Sequence, residues 1–181
     1  MKHVMLDVET LGTSADACII SIGAVKFDLG STALDDAGFY ASISIESNLE
    51  AKRRVQESTL LWWFNQSIAA QAVFHEPKQT LHGALVDLAE WLGEGESFMW
   101  SNGADFDLPM VAHAYTSLGM DVPWAFWRSR CLRTYKNLPG AAGAGPSFTG
   151  TAHNALADAV HQARTVQAIH AKVFKKVKTT A

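Results

Sequence analysis

Five side chains in three separated stretches have the types and spacing for chemistry on phosphate. Asp7 and Glu9 stand two apart in His3-Val4-Met5-Leu6-Asp7-Val8-Glu9. Asp107 closes Asn102-Gly103-Ala104-Asp105-Phe106-Asp107, and His153 and Asp158 bound His153-Asn154-Ala155-Leu156-Ala157-Asp158. Four acids in one pocket would repel one another unless a cation stood between them. Oxygen donors suit magnesium or manganese. The chemistry this set implies is metal-dependent phosphoryl transfer, with a histidine suited to deprotonating water.

The elements must position these groups. His3 to Glu9 reads as a strand, so Asp7 and Glu9 share one face while Val8 takes the other. A solvated strand edge is the ordinary alternative for such a pair, but the apolar Val4, Leu6 and Val8 favour a buried strand with acids at its end. Cys18 to Asp28 reads as a second strand and Phe39 to Ile45, alternating at period two, as a third, which makes an antiparallel meander. Ser58 to Asn65 reads as a short helix and Ala69 to Phe74 as another. Leu81, Leu85, Leu88 and Leu92 form a stripe that predicts a helix over 80–92, ended by Gly93 and Gly95. Ser97 to Trp100 reads as a brief buried strand and Asp107 to Leu118 as a helix, with Pro109 in its first turn and Gly119 at its stop. Asp107 then lies at a helix start, where the dipole favours an anion, although Asp105 competes as the N-cap. Residues 139–150, rich in Gly, Ala, Pro and Ser, predict a mobile loop, and a last long helix spans about 154–176. On one helix His153 and Asp158 would lie about 140° apart, so they meet only if His153 sits in the loop and Asn154 caps the helix. His161 and His170 lie deeper in that helix and read as structural or exposed.

Strands followed by alternating helices and strands predict an α/β fold with a mixed central sheet. The 181 residues, 48% of them hydrophobic, suffice for one sizeable core and a single domain over 1–181. The formal net charge of -3 excludes a generally basic surface, yet a local basic rim can still hold phosphates. Cys18 and Cys131 have no metal-ligand spacing and read as cytosolic thiols, not a disulfide framework. No signal peptide and no apolar run of membrane-spanning length is readable, so a cytoplasmic protein is expected.

These motifs, in this order, resemble the DnaQ-like, or DEDDh, 3'-5' exonuclease superfamily. Met5-Leu6-Asp7-Val8-Glu9-Thr10-Leu11-Gly12-Thr13 is similar to its first motif. Trp100 to Pro109, Pro123 to Trp127, Arg133-Thr134 and His153 to Ala159 resemble a subgroup of small phage exonucleases and a mycobacterial exoribonuclease. The resemblance covers roughly residues 3–170. It implies an RNase H-like fold and two Mg2+ (or Mn2+) ions. Asp7 would bridge the ions, Glu9 and Asp158 would complete the sites, and Asp107 would bind the second ion directly or through water. His153 would activate the attacking water. The implied product is a nucleoside 5'-monophosphate released from the 3' end of single-stranded DNA, with RNA as the alternative, and the subgroup also suggests a homodimer.

Candidate substrate contacts surround these residues. In the resembled family the corner at Thr10 and Leu11 touches the terminal nucleotide, and Leu11 would wedge against its base. Trp62, Trp63, Trp124 and Trp127 are candidates for base stacking, with core packing as the ordinary reading. Asn102 lies in the second motif. Arg128, Arg130, Arg133 and Lys136 form a basic cluster suited to phosphates. Lys172, Lys175, Lys176 and Lys178 suit a solvated helix end. Two other classes compete: a non-catalytic nucleic-acid-binding module, against which the intact acids and His153 argue, and a nucleotide phosphohydrolase, which would need a closed pocket.

Overall fold

The strand that carries Asp7 and Glu9 lies at the centre of a mixed five-stranded sheet. The computed structural model describes residues 1–35, 37–93 and 96–174. Strand β1 (His3–Thr10) is flanked by β2 (Ile19–Phe27), then β3 (Phe39–Ser42), on one side, and by β4 (Phe98–Ser101), then β5 (Ser129–Cys131), on the other. The first three strands are antiparallel, as expected, whereas β4 and β5 run parallel to β1.

Both faces of β1 are covered. Val4, Leu6 and Val8 pack on α4 (Leu81–Leu92) and α5 (Asp107–Ser117) through Leu85, Leu88, Val111 and Tyr115. Met5, on the face that also carries Asp7 and Glu9, packs with Trp100 and with Ala159, Ala163 and Val166 of α7 (Ala155–Phe174). The predicted leucine stripe of α4 is buried, Thr80 caps it by accepting from the Gly83 N–H at 3.1 Å, and Gly93 ends it at a φ of 76°.

Gly23 fixes how closely α7 approaches. It pairs with Asp7 across the β1–β2 ladder, and a Cβ on it would lie 2.2 Å from the backbone of Ala155 and Leu156. The first turn of α7 therefore rests on β2 directly beside the acids. Small residues continue the contact, since Ala155, Ala159 and Ala163 recur at four-residue spacing and are fully buried.

Several elements differ from expectation. The third strand ends at Ser42, not Ile45, because the Ser44 side chain accepts from the Ser47 N–H at 3.3 Å and starts α1 (Ile45–Glu50). Asn48 of α1 is buried and pairs with both the N–H and the C=O of Ile19, each at 2.9 Å, pinning the start of β2. The first central helix is α2 (Glu57–Phe64), while 68–74 divides into α3 (Ile68–Gln71) and a 3-10 turn at Ala72–Phe74. Asp105 does not cap α5; Phe106 occupies that position without a side-chain cap. A 3-10 turn at Phe126–Arg128, β5 and α6 (Leu132–Lys136) were not readable, being three to five residues each and without alternation. Residues 139–150 contain neither helix nor strand. Gly95, Lys175, Lys176 and Lys178 lie outside the described residues. Among the described residues, no helix is long and apolar enough to cross a membrane. Cys18 and Cys131 are free thiols.

Candidate active site

Three elements bring the acids together. β1 contributes Asp7 and Glu9, and the ladder shifts register between Glu9 and Thr10, a local irregularity typical of strand ends beside functional sites. α7 contributes Asp158 from its first turn. One oxygen from each of Asp7, Glu9 and Asp158 lies within 4.8 Å of the others. α5 contributes Asp107 as its first residue. The pairing of β1 with β4 runs only from His3 to Met5, and beyond it the Val8 N–H donates to Asp107 Oδ1 at 3.3 Å. Asp107 thus lines the same pocket but stands outside the close trio.

His153 precedes α7 in the left-handed region, with a φ of 62°. Asn154 caps the helix, accepting from the Ala157 N–H at 3.0 Å. This is the arrangement the five-residue spacing required. The Trp62 ring meets the imidazole edge-on, with ring centroids 4.9 Å apart, and Trp63 stands behind at 6.2 Å. The pocket, about 380 Å³, is lined by the four acids together with Asn102, Arg133, His153 and Gln162.

Burial and like charge dominate the electrostatics. Burial, then Asp107 and Glu9, hold the Asp7 carboxyl well above the ordinary carboxylate range, opposed by a hydrogen bond from Gln162. Burial, then Asp158 and Asp107, push Glu9 up to about 8. Burial raises Asp107 to about 6 against the stabilising Val8 N–H and the Arg133 charge. Burial also raises Asp158, and its Oδ2 is buried without a hydrogen-bond partner among the described residues. Acids in this state accept protons readily or share a divalent cation. The oxygen-only donor set, its span and the unpartnered Asp158 oxygen fit Mg2+ or Mn2+.

The proposed substrate contacts separate into those at the pocket and those elsewhere. Asn102 and Arg133 line it, and the Arg133 N–H donates to Asn102 O at 2.9 Å. Gly103 leaves room for this arginine, because a Cβ there would lie 3.2 Å from its Nη1. Arg128 and Arg130 instead lie over the Phe98 ring at 5.4 and 4.5 Å, Arg128 donates to Glu96 O, and neither lines the acidic pocket. Lys136 does not line it either. An adjoining groove shares Val8, Glu9 and Phe106 with the pocket and continues over Thr10, Thr13, Ser58, Thr59 and Trp62. Thr10 Oγ1 donates to Gly12 O at 2.7 Å. Leu11 is 1% exposed and packs with Cys18, Ile20 and Trp63, so in this conformation its side chain meets the core and not a base. Trp63 is likewise core, donating to Thr10 O at 2.9 Å, and Trp124 packs on Tyr115. Trp127 is exposed but lines a separate apolar groove with Phe126.

Gln162 was not singled out from the sequence. Its Nε2 donates to Asp7 Oδ1 at 2.7 Å. The signal was its place four residues after Asp158, one turn along the same helix face.

Comparison with known proteins agrees with this geometry. Residues 2–170 match the family model of the 3'-5' exoribonuclease Rv2179c-like domain. The chain is similar to an exodeoxyribonuclease of Enterobacteria phage T4, at 24% identity over 163 aligned residues, covering 74% of this chain and 70% of the relative. Two solved structures of E. coli exonuclease I share the fold. They are a zinc-bound complex with single-stranded DNA (TM-score 0.70, 14% identity) and a complex with a dT13 oligonucleotide (TM-score 0.65, 14% identity). Each match covers 94% of this chain and 41% of the exonuclease I chain, so this chain spans about two-fifths of their length.

Proposed function

Because the chain belongs to the 3'-5' exoribonuclease Rv2179c-like family, we propose that it removes nucleoside 5'-monophosphates from the 3' end of single-stranded nucleic acid. The observation that carries this reading is the meeting of Asp7, Glu9 and Asp158 within 4.8 Å, with His153 on the same pocket. Asp7, Glu9 and Asp158 would hold a divalent ion, and Asp107 would complete the site for a second. When bound, the ions neutralise the acids and stabilise charge on the oxygens of the scissile phosphodiester.

The chain's own residues supply the rest. His153 takes a proton from the attacking water, held in place by its left-handed backbone and by the Trp62 edge. Arg133 presents a guanidinium to the phosphate. The groove over Thr10, Thr13 and Trp62 receives the terminal nucleoside, with Trp62, 43% exposed, available to a base. The pocket is open to this groove, which suits a strand end better than a free small molecule.

Single-stranded DNA is the substrate we propose first, supported by the phage T4 relative and by the exonuclease I complexes. A 3' RNA end is the second reading, favoured by the description of the matched family. Matched DNA and RNA oligonucleotides with free or phosphorylated 3' ends, incubated with Mn2+ and sized, test both. Mononucleotides from free 3' ends, with blocked ends spared, are expected. Cleavage of blocked strands at internal positions or from the 5' end would overturn the proposal.

A further inference from the structure

Gln162 stands one turn after Asp158, so both side chains leave α7 on the face that meets β1. It is 8% exposed, yet it uses only half of its amide. The Nε2 donates to Asp7 Oδ1 at 2.7 Å, while the Oε1 has no hydrogen-bond partner among the described residues. Against an ionised Asp7 only the nitrogen can face the carboxylate, because both carboxylate oxygens accept. A glutamine serving the fold alone would satisfy both ends, as Asn48 does with Ile19. Gln162 instead directs its donor at the acid shared by the two halves of the pocket, strand and helix.

We propose that Gln162 is a positioning residue for the cation site, fixing the Asp7 carboxylate in the orientation that completes the trio with Glu9 and Asp158. The role rests on the metal-dependent reading above and extends it to how tightly the ion is held. Groups that orient a ligand from behind typically change metal affinity by about 10- to 100-fold.

Calorimetric titration of Mn2+ into the substrate-free protein tests this directly. Gln162→Met keeps the volume and removes the donor. It is expected to bind Mn2+ at least about 10-fold more weakly than wild type. At saturating Mn2+ its KM for an oligonucleotide should stay at the wild-type value. Wild-type Mn2+ affinity in a folded Gln162→Met would overturn the role of Gln162 alone. A wild-type protein that takes up no Mn2+ would instead remove the functional reading beneath it. Should Gln162→Met fail to fold, the side-chain amide resonance of Gln162 in the wild type is followed during Mg2+ titration. Movement as the site fills supports the role, and a resonance that stays fixed overturns it.

Discussion

At the scale of single residues, the site holds like charges closer and drier than they would choose. Asp7 and Asp107 are 9% and 4% exposed, and both carboxyls sit above their ordinary range. Replacing Asp7 by Asn removes a negative group from the centre of this set. Exonuclease turnover should fall by at least about 100- to 1,000-fold, the scale for losing a principal electrostatic group. The same variant should melt at a higher temperature than wild type without metal, because one source of repulsion is gone; a lower melting point would contradict the charge argument. His153→Ala should lose about 100- to 10,000-fold in rate, the usual range for a general base. Its Mn2+ affinity, read by calorimetry, should be retained, and a variant that mainly lost metal would assign His153 a different part. The chemical types and local spacing of Asp7, Glu9, Asp107, His153 and Asp158 made these positions legible in the sequence. Arg133 stood out only as one of four clustered cations. Its difference from Arg128 and Arg130, which turn to Phe98, depends on the path of α6, which no local pattern announced. Leu11 followed the acids in sequence, but its side chain joins the core with Cys18, Ile20 and Trp63.

At the scale of elements, the site is a junction between β1 and the first turn of α7, and its tightness depends on neighbours with no catalytic chemistry. Gly23→Ala places a methyl group against the backbone of Ala155 and Leu156. Overpacking of this kind costs about 1–3 kcal/mol. Activity should fall further than the lost stability explains, and a folded Gly23→Ala with full turnover would show that the junction tolerates displacement. Asn48→Ala leaves the Ile19 N–H and C=O without their partner, at about 1–3 kcal/mol for each buried group, and should lower the urea midpoint. The long amphipathic elements were legible because burial on one face imposes a period over many residues, as α4 does with its four leucines. The short ones were not. β5 has three residues and lies at the sheet edge, so its place comes from pairing with β4 and not from its own pattern. The stretch at Ile43–Ile45 continues the alternation of β3, but a serine cap diverts it into α1.

At the scale of the whole molecule, protons and cations compete for one pocket and so link stability to both. Glu9 is raised to about 8 and Asp107 to about 6, with Asp7 and Asp158 raised as well. Between the ordinary carboxylate range and those values, the folded chain keeps protons that the unfolded chain has released. The contribution of these groups to the stability of the metal-free protein is therefore fully present at or below the ordinary carboxylate range and is lost as pH rises, by about 1.4 kcal/mol per pH unit for each group until its own raised value is passed, about 6 for Asp107 and about 8 for Glu9. Thermal melts in EDTA between pH 5 and 8 should show this decline, and Mn2+ should reverse it most strongly at the alkaline end. A midpoint that is flat with pH, or highest at pH 8 without metal, would refute the linkage. A further consequence comes from Gly23. Its α-carbon, with a hydrogen where any other residue carries a side chain, is the spacer between the two halves of the candidate site. A chain carrying every acid and the histidine, but a methyl group at this position, would look competent to anyone checking reactive groups and still turn over more slowly in the assay.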